Sequence, residues 1–223
     1  MREEHKKAIR KRKLREKNRR IDSILEAAKK IFFAKGYAKA TMDDIALEAE
    51  ISKPTIYQYF KSKDDLFFSL MLPVVDEIGT QFEAILKRLE EGRYTSGAAL
   101  ISDMFEGLWN SYAMAPDVFR IVQLFQQTGL VQELNPNIRK SLNEKGGRNF
   151  KLVRRIVEMG MQQNLIKETN PFEFVDVLWG QFVGIVQLED IKSQKKEDNI
   201  YLKPTLKLAE KILIDSMAEK IEY

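Results

Sequence analysis

The 223-residue chain contains no cysteine and a single histidine, His5, so disulfides, a Cys/His zinc site and a Ser-His-Asp triad are all excluded. No run of about 18 apolar residues is present to span a membrane, and the basic N-terminus lacks the apolar segment of a signal peptide. We therefore expect a cytoplasmic protein with no metal, no cofactor and no membrane partner.

The first predicted segment is a basic arm over residues 1–20. It contains eleven Lys or Arg against three Glu, a balance of +8 within a total of +4, so the remaining residues carry about −4. Such a concentration of positive charge predicts a polyanionic partner. A solvated, disordered tail is the alternative, and both descriptions hold if the arm becomes ordered only on nucleic acid.

The first helix of a small head is predicted from about Ile21 to Lys35, where apolar residues recur at helical spacing. Gly36 follows and suits a left-handed C-terminal cap. A second helix begins at Thr41, because Thr41 followed by Asp44 resembles a capping box.

A third, short helix is predicted after a turn at Glu50 and Ile51. Ser52 is its expected N-cap, and Pro54 lies in its first turn, where a missing N–H is harmless. Two short helices around a tight turn, after a stabilising helix, are typical of a helix-turn-helix. A helix that enters a DNA major groove must expose hydrogen-bond donors. The donors expected on this helix are Ser52, Lys53, Thr55, Tyr57, Gln58 and Tyr59, of which Thr55 and Gln58 best suit base edges.

A long fourth helix is predicted from a cap at Ser62 to about Glu91, with a kink at Pro73. Helix-breaking residues delimit later helices at 96–114, 117–130, 136–165, 171–192 and 202–220. Strand patterns and hairpin turns are weak, so we expect an all-α fold of about nine helices. The predicted domains are the arm at 1–20, a helix-turn-helix domain at 21–68 and a helical body at 69–223.

Three segments carry a recognisable pattern in one register: Phe32-Phe33-Ala34-Lys35-Gly36-Tyr37, Thr41-Met42-Asp43-Asp44-Ile45-Ala46, and Ser52-Lys53-Pro54-Thr55-Ile56-Tyr57-Gln58-Tyr59-Phe60-Lys61-Ser62-Lys63-Asp64-Asp65-Leu66. The stretch from Ile24 to Phe68 resembles the DNA-binding head of the TetR family of transcriptional regulators. The resemblance covers about 45 residues, roughly a fifth of the chain.

This resemblance implies a role for individual residues of the head. It implies contacts to DNA phosphates by Thr41, Tyr57, Tyr59 and Lys63, and an approach to the bases by Lys53, Pro54 and Thr55. Pro54 departs from the family, which often has glycine or a polar residue there, and offers only an apolar contact. The two tyrosines could instead be packing residues, and Thr41 could be a helix cap alone. Ile45, Ile56, Phe60 and Leu66 are expected in the core.

For the body, the resemblance implies a ligand-binding and dimerisation domain. Aromatic, methionine and glutamine side chains at helical spacing are the candidate pocket: Phe105, Trp109, Tyr112, Phe125, Gln126, Met159, Gln163, Trp179 and Phe182. A mostly apolar pocket of this kind suits a neutral or lipophilic small-molecule effector. The alternative is that these side chains form an ordinary core.

The predicted helix at 171–192 is apolar on nearly all sides, which indicates burial on two faces. The resemblance implies that this helix and the last one pair with their copies in a homodimer. The candidate interface residues are Gly180, Gly184, Leu188, Leu206, Leu213 and Met217. Closure of a monomer's core is the alternative.

Together these features predict a DNA-binding regulator rather than an enzyme, because no catalytic constellation can be assembled. We expect a repressor that binds a palindromic double-stranded operator as a dimer and leaves it when an effector binds. The competing hypothesis is a protein that binds nucleic acid or other partners through its basic arm, without sequence specificity.

Overall fold

The computed structural model describes residues 2–127, 129–193 and 201–219. Within these residues the chain forms nine α-helices, a short 3-10 helix at Leu130–Glu133 and one isolated β-bridge between Ile166 and Ala218. The predicted all-α fold is therefore confirmed. Among the described helices, none has the length and apolar character needed to cross a membrane. The helices are α1 (Arg2–Lys39), α2 (Met42–Glu48), α3 (Lys53–Tyr57), α4 (Lys63–Glu90), α5 (Gly97–Met114), α6 (Pro116–Gln127), α7 (Pro136–Gln162), α8 (Pro171–Ser193) and α9 (Leu202–Met217).

The chain divides into two compact units. An N-terminal unit comprises Met1–Pro73 and Asp117–Lys140, and a C-terminal unit comprises Val74–Pro116 and Ser141–Tyr223. This division differs from a single body at 69–223, because nearly all of α6 and the segment after it belong with the helix-turn-helix. The functional division into DNA-binding and ligand-binding parts stays a prediction.

Helix α1 begins at Arg2, well before the predicted start at Ile21. Its described side chains between residues 3 and 20 are exposed, whereas Ile24 and Phe32 are buried. Gly36 interrupts the helical dihedral angles with a φ of +72° and a ψ of 160°, a conformation open to glycine but different from the predicted left-handed cap. The basic arm is therefore the exposed first half of the same helix that packs in the core of the N-terminal unit.

The core of the N-terminal unit is built from the apolar faces of its helices. The phenyl ring of Phe67 lies 5.4 Å from Phe32 and 4.9 Å from Tyr37, centroid to centroid, in edge-on geometry. The expected core residues of the head are confirmed as buried: Ile45, Ile56, Phe60 and Leu66.

The turn between α2 and α3 contains a residue in the left-handed region. Glu50 has a φ of +53°, a conformation that side chains other than glycine rarely adopt. The Ile51 backbone N–H donates to the Ala46 carbonyl oxygen at 2.9 Å, which closes the turn. The predicted position of the turn at Glu50 and Ile51 is correct, and its backbone geometry fixes where α3 begins.

In the C-terminal unit, α5, α8 and α9 pack against one another around a core of large apolar side chains. The N-terminus of α5 meets the loop after α7 so closely that a side-chain carbon at Gly97 would lie 1.8 Å from the Leu165 carbonyl oxygen. The same carbonyl accepts a hydrogen bond from the Glu219 N–H at 3.0 Å, beyond the end of α9. Gly97 therefore allows three chain segments to converge at one point.

Candidate DNA interface and ligand cavity

The start of α2 is fixed by a complete capping box. The Asp44 N–H donates to Thr41 Oγ1 at 3.1 Å, and the Thr41 N–H donates to Asp44 Oδ2 at 3.1 Å. Lys35 also donates to Asp44, at 2.7 Å, and its hydrogen bond is the main reason that the pKa of Asp44 is lowered, with Thr41 second. Since a hydroxyl can accept and donate at once, the exposed Thr41 keeps its own hydrogen for a further partner.

The short helix α3 is anchored by Ile56, which is fully buried, and by Phe60 just after its end. On the opposite side its side chains face solvent, and Tyr57 is 44% exposed. Ser52 and Thr55 are linked by a 2.8 Å hydrogen bond between their hydroxyl oxygens. The remaining predicted DNA-contact residues of this helix form one accessible surface: Lys53, Pro54 and Gln58 are exposed, and Thr55 and Tyr59 are half-buried.

An acidic residue that the sequence analysis missed lies beside α3. Lys53 Nζ is 2.9 Å from the Asp43 carboxylate on α2, and this hydrogen bond raises the pKa of Lys53. Both side chains are well exposed, and exposed ion pairs of this kind contribute little to stability. A phosphate oxygen can therefore replace Asp43 at little cost. The pair was invisible in the 52–63 stretch because its acid comes from the preceding helix.

Lys63 has a structural role that the sequence did not indicate. Its Nζ donates to the carbonyl oxygens of Tyr37 at 2.8 Å and Ala40 at 3.0 Å, where α1 ends. It also lies 4.3 Å from the centroid of the Tyr37 ring. An ammonium group has three N–H donors, so one remains for a phosphate. The predicted phosphate contact of Lys63 stays a prediction, beside an observed role in capping α1.

Asp64 joins three parts of the N-terminal unit. One carboxylate oxygen accepts from the Tyr37 hydroxyl, and the other accepts from the Asn135 backbone N–H at 2.8 Å. Burial raises the pKa of the Tyr37 hydroxyl well above its usual range, and the hydrogen bond to Asp64 adds to the shift. These contacts hold the segment before α7 to the start of α4.

The C-terminal unit contains a cavity of about 490 Å³ between α5, α8 and α9. Three of the predicted pocket residues line it: Phe105, Trp109 and Phe182. The other lining residues were not predicted: Ser102, Glu106, Lys203, Pro204, Leu206, Lys207 and Glu210. Most of these come from α9, whose exposed lysines have the sequence pattern of an ordinary solvated helix face.

The charged groups of this cavity are unequally paired. The buried Glu210 accepts from the Ser102 hydroxyl at 2.6 Å and from Lys207 Nζ at 2.7 Å. Lys203 Nζ lies 4.8 Å from the Trp109 ring centroid and has no acidic partner among the residues that the structure describes. Glu106 also lines the cavity and likewise has no ion pair among the described residues, so the cavity offers aromatic surface with one unpaired ammonium group and one unpaired carboxylate.

Other predicted pocket residues lie elsewhere. Tyr112 is buried, with its ring 5.6 Å from Trp109. Trp179 packs edge-on against Phe150 at 6.0 Å. Neither is among the residues that line this cavity.

Four pocket predictions remain, and the two whose side chains the structure describes also fall outside the lining of this cavity. Gln163 is exposed and donates to the Leu89 carbonyl oxygen at 3.1 Å, near the end of α4. Met159 is half-buried and does not line the cavity. The side chains of Phe125 and Gln126 lie outside the part of the chain that the structure describes.

The outer face of α8 and α9 carries an exposed apolar stripe. Its large members are Val177, Leu188, Ile191, Leu208 and Ile212. Between them Gly180 and Gly184 are exposed, with open space where a side chain would be. Of the predicted interface residues, Leu206 and Leu213 are instead buried in the C-terminal unit, because they occupy the core side of α9, and Met217 is half-buried.

Comparison with known proteins identifies the head. Residues 24–70 match the family model described as bacterial regulatory proteins, tetR family. The head of the chain is a TetR-family domain. Residues of the head that carried the resemblance, from Ile24 to Phe68, fall within the matched range, and the family consists of regulators and not of enzymes.

Curated relatives of the helix-turn-helix type match the chain over different lengths. The transcriptional activator FasR of Mycolicibacterium smegmatis is 33% identical over 84 residues, 38% of each chain. The regulator HbdR of Aromatoleum sp. is 40% identical over 75 residues, 32% of this chain and 33% of that protein. The match thus spans only about a third of these two relatives. The repressor NicS of Pseudomonas putida is 26% identical over 151 residues, 68% of each chain.

Solved structures share the fold over most of the chain. PfmR, a TetR-family regulator of Thermus thermophilus, has a TM-score of 0.67 and 18% identity, covering 90% of this chain and 99% of that one. FadR of Bacillus subtilis, solved in complex with stearoyl-CoA, has a TM-score of 0.61 and 21% identity, covering 84% and 96%. At these identities the likeness concerns the fold.

Proposed function

We propose that this TetR-family regulator acts in the cytoplasm as a ligand-responsive repressor, binding a palindromic operator as a homodimer. The observation that carries the proposal is the surface of α3. Its buried side is anchored by Ile56, while Ser52, Lys53, Tyr57 and Gln58 are exposed together. An anchored helix with donors on its free side is what insertion into a major groove requires.

The contacts are assigned by the position of each donor. Thr41, Ser52, Tyr57, Tyr59 and Lys63 contact phosphate oxygens, and Lys53, Pro54, Thr55 and Gln58 approach the bases. The free hydrogen of the Thr41 hydroxyl, the exposed hydroxyl of Tyr57 and the weakly held Lys53 ammonium support these roles.

Footprinting on a duplex selected from a random pool by the wild-type chain tests this proposal. A protected palindrome with half-sites about one DNA turn apart supports the proposal. Uniform, salt-sensitive protection of the whole duplex supports the competing hypothesis of binding without sequence specificity. Tyr57→Phe should weaken operator binding several-fold, as expected for about 1 kcal/mol from one hydrogen bond, while its unfolding midpoint stays that of the wild type. Wild-type affinity in Tyr57→Phe would remove Tyr57 from the interface.

Dimerisation is proposed through the exposed stripe on α8 and α9. An apolar stripe on a helix that is already packed on its other side suits burial by a second copy. The exposed Gly180 and Gly184 would let a partner helix approach closely. We therefore assign the interface to Leu188, Leu208 and Ile212 in place of the buried Leu206 and Leu213.

The effector is proposed to bind the cavity between α5, α8 and α9. Phe105, Trp109 and Phe182 offer apolar surface, which supports the expected lipophilic effector. The unpaired Lys203 ammonium favours an effector that carries an acidic group as well as an apolar chain. The complex of the FadR relative with stearoyl-CoA, an apolar chain on an anionic carrier, supports the same class.

The effector class can be tested by the concentration of a candidate molecule that releases the operator from the protein. A saturated fatty acid should release the operator at lower concentration than the alcohol of equal chain length, and Lys203→Met should remove that difference. Lys211→Met, an exposed change outside the cavity lining, is the matched control. Equal potency of acid and alcohol on the wild type would exclude the acidic group, and no effect of either would exclude this effector class.

A further inference from the structure

The basic arm is a continuation of a helix that is part of the folded head. Helix α1 extends from Arg2 to Lys39. Its second half is buried through Ile24, Ala28 and Phe32, whereas the described side chains of residues 3–20 are exposed. At about 1.5 Å per residue, the arm is roughly 28 Å long. A partner of the arm is therefore held close to the helix-turn-helix.

Positive charge surrounds this arm on all sides. Arg10, Lys11, Arg12 and Lys13 are consecutive and so cover a full helical turn. In the described part of the arm, the large apolar side chains that are exposed are Ile9 and Leu14. Two such side chains are too few to form an apolar stripe. A membrane-surface helix or a packed protein helix needs such a stripe. The arm therefore suits a partner that recognises charge and requires no complementary face.

The arm cations are mostly uncompensated. Arg12 pairs with Glu16 at 2.8 Å, but Lys7, Lys11, Arg15 and Arg19 follow one another at intervals of four residues, where like charges repel. No ion pair to these four occurs in the described part of the chain. A polyanion would relieve this repulsion and stabilise the helical form of the arm.

We infer that residues 2–20 form a helical clamp on the phosphate backbone of DNA flanking the operator, separate from the sequence-reading surface of α3. DNA carries about one phosphate charge per 1.7 Å of its axis, so a rod of roughly 28 Å runs past about 16 phosphates. The arm supplies affinity without sequence preference. The inference rests on the proposed function for the presence of an operator, but its contacts use different residues.

The test compares three full-length chains on two duplexes. The arm variant replaces Arg10, Lys13, Lys17 and Arg20 by glutamine, which removes four charges along one face of the arm. The matched control replaces four exposed lysines or arginines of the C-terminal unit by glutamine, namely Lys87, Lys151, Arg155 and Lys211. One duplex carries the selected operator with long flanks, and the other is trimmed to the operator. Affinity is measured by fluorescence anisotropy over a range of KCl concentrations.

On the flanked duplex, the slope of log K against log salt should become shallower by about 2–4 in the arm variant, since each lost phosphate contact removes about 0.9. On the trimmed duplex, that difference should largely disappear. The control variant should keep the wild-type slope on both. Equal slopes for the wild type and the arm variant on the flanked duplex would overturn the clamp.

The two proposals fail in different ways. If the wild type coats any duplex uniformly, and the arm variant has a shallower slope there too, the repressor proposal fails and the arm contact stands. In the opposite outcome, Gln58→Ala abolishes selection of the operator while the salt slopes of the wild type and the arm variant coincide. That result supports base recognition by α3 and excludes the clamp. Far-ultraviolet circular dichroism of each free chain confirms that the variants remain folded.

Discussion

The ammonium group of Lys63 lies 2.8 Å from the carbonyl oxygen of Tyr37, near the end of α1, the first helix of the head. The same group lies 4.3 Å from the centre of the Tyr37 ring. A lysine expected to contact phosphate thus also completes the fold of the head. Its two roles have separate measurable consequences.

Lys63→Ala is expected to lower the free energy of unfolding by about 1–2 kcal/mol, because two charge-assisted hydrogen bonds to carbonyl oxygens are lost. Urea denaturation measures this. Operator affinity, measured in the absence of denaturant, should also fall. Lys61→Ala is the control, since Lys61 is an exposed neighbour; its unfolding should match that of the wild type. If Lys63→Ala is as stable as the wild type, the hydrogen bonds of Lys63 to the carbonyl oxygens at the end of α1 do not contribute to the free energy of unfolding.

The raised pKa of Tyr37 predicts a loss of stability at high pH. A hydroxyl whose pKa is higher in the folded state than in the unfolded state stabilises the fold fully below the usual tyrosine pKa of about 10. That contribution falls as the pH rises above this value, because the unfolded chain ionises first. The free energy of unfolding should therefore decrease more steeply above about pH 10 in the wild type than in Tyr37→Phe.

The measurement is a series of urea denaturation curves between neutral pH and about pH 11 for the two chains. Tyr37→Phe should be less stable near neutral pH, since the hydrogen bond to Asp64 is lost. The two curves should converge as the pH rises. Parallel pH profiles would mean that the pKa of Tyr37 does not differ between the folded and unfolded states.

Two glycine-to-alanine changes should act in opposite directions. Gly97→Ala places a carbon 1.8 Å from the Leu165 carbonyl oxygen, so the loop must move and stability should fall by at least about 1–3 kcal/mol. Gly146→Ala meets nothing within 4 Å in the middle of α7, so it should raise stability by about 0.5–1 kcal/mol. Thermal denaturation checks both. A neutral Gly97→Ala would contradict the close approach of α5 to this loop.

The exposed stripe predicts which side of α9 governs assembly. Ile212→Glu should shift the chain to monomers in sedimentation equilibrium and weaken operator binding, while its helical circular dichroism is kept. Leu213→Ala, one position further, should instead destabilise the fold by about 2–5 kcal/mol, because that side chain is buried. A wild-type oligomeric state in Ile212→Glu would move the interface away from α9.

The head could be predicted closely because its signals are local. The capping box of Thr41 and Asp44, and the proline in the first turn of α3, depend on neighbours only a few residues away. The helix boundaries that follow from such signals were accurate to a few residues. The core positions of the head were predicted from the same helical periodicity.

What the sequence did not predict depends on distant partners. Asp43 beside Lys53, and the carbonyl oxygens around Lys63, are contacts between separate helices. The helical arm was missed because a run of positive charges lacks the apolar periodicity that marks a helix. Lys203 was missed because its position above Trp109 depends on the packing of α9 against α5.

Gly180 and Gly184 leave part of the α8 backbone without side-chain cover on its exposed face. Amide hydrogens exchange with solvent when their helix opens locally, and opening is easier where few side chains pack. In a separate chain, the amides around these glycines should exchange early. Once a second chain covers the face, their exchange should slow. Amide hydrogen exchange around Gly180 and Gly184 therefore reports the formation of the dimer without an attached label.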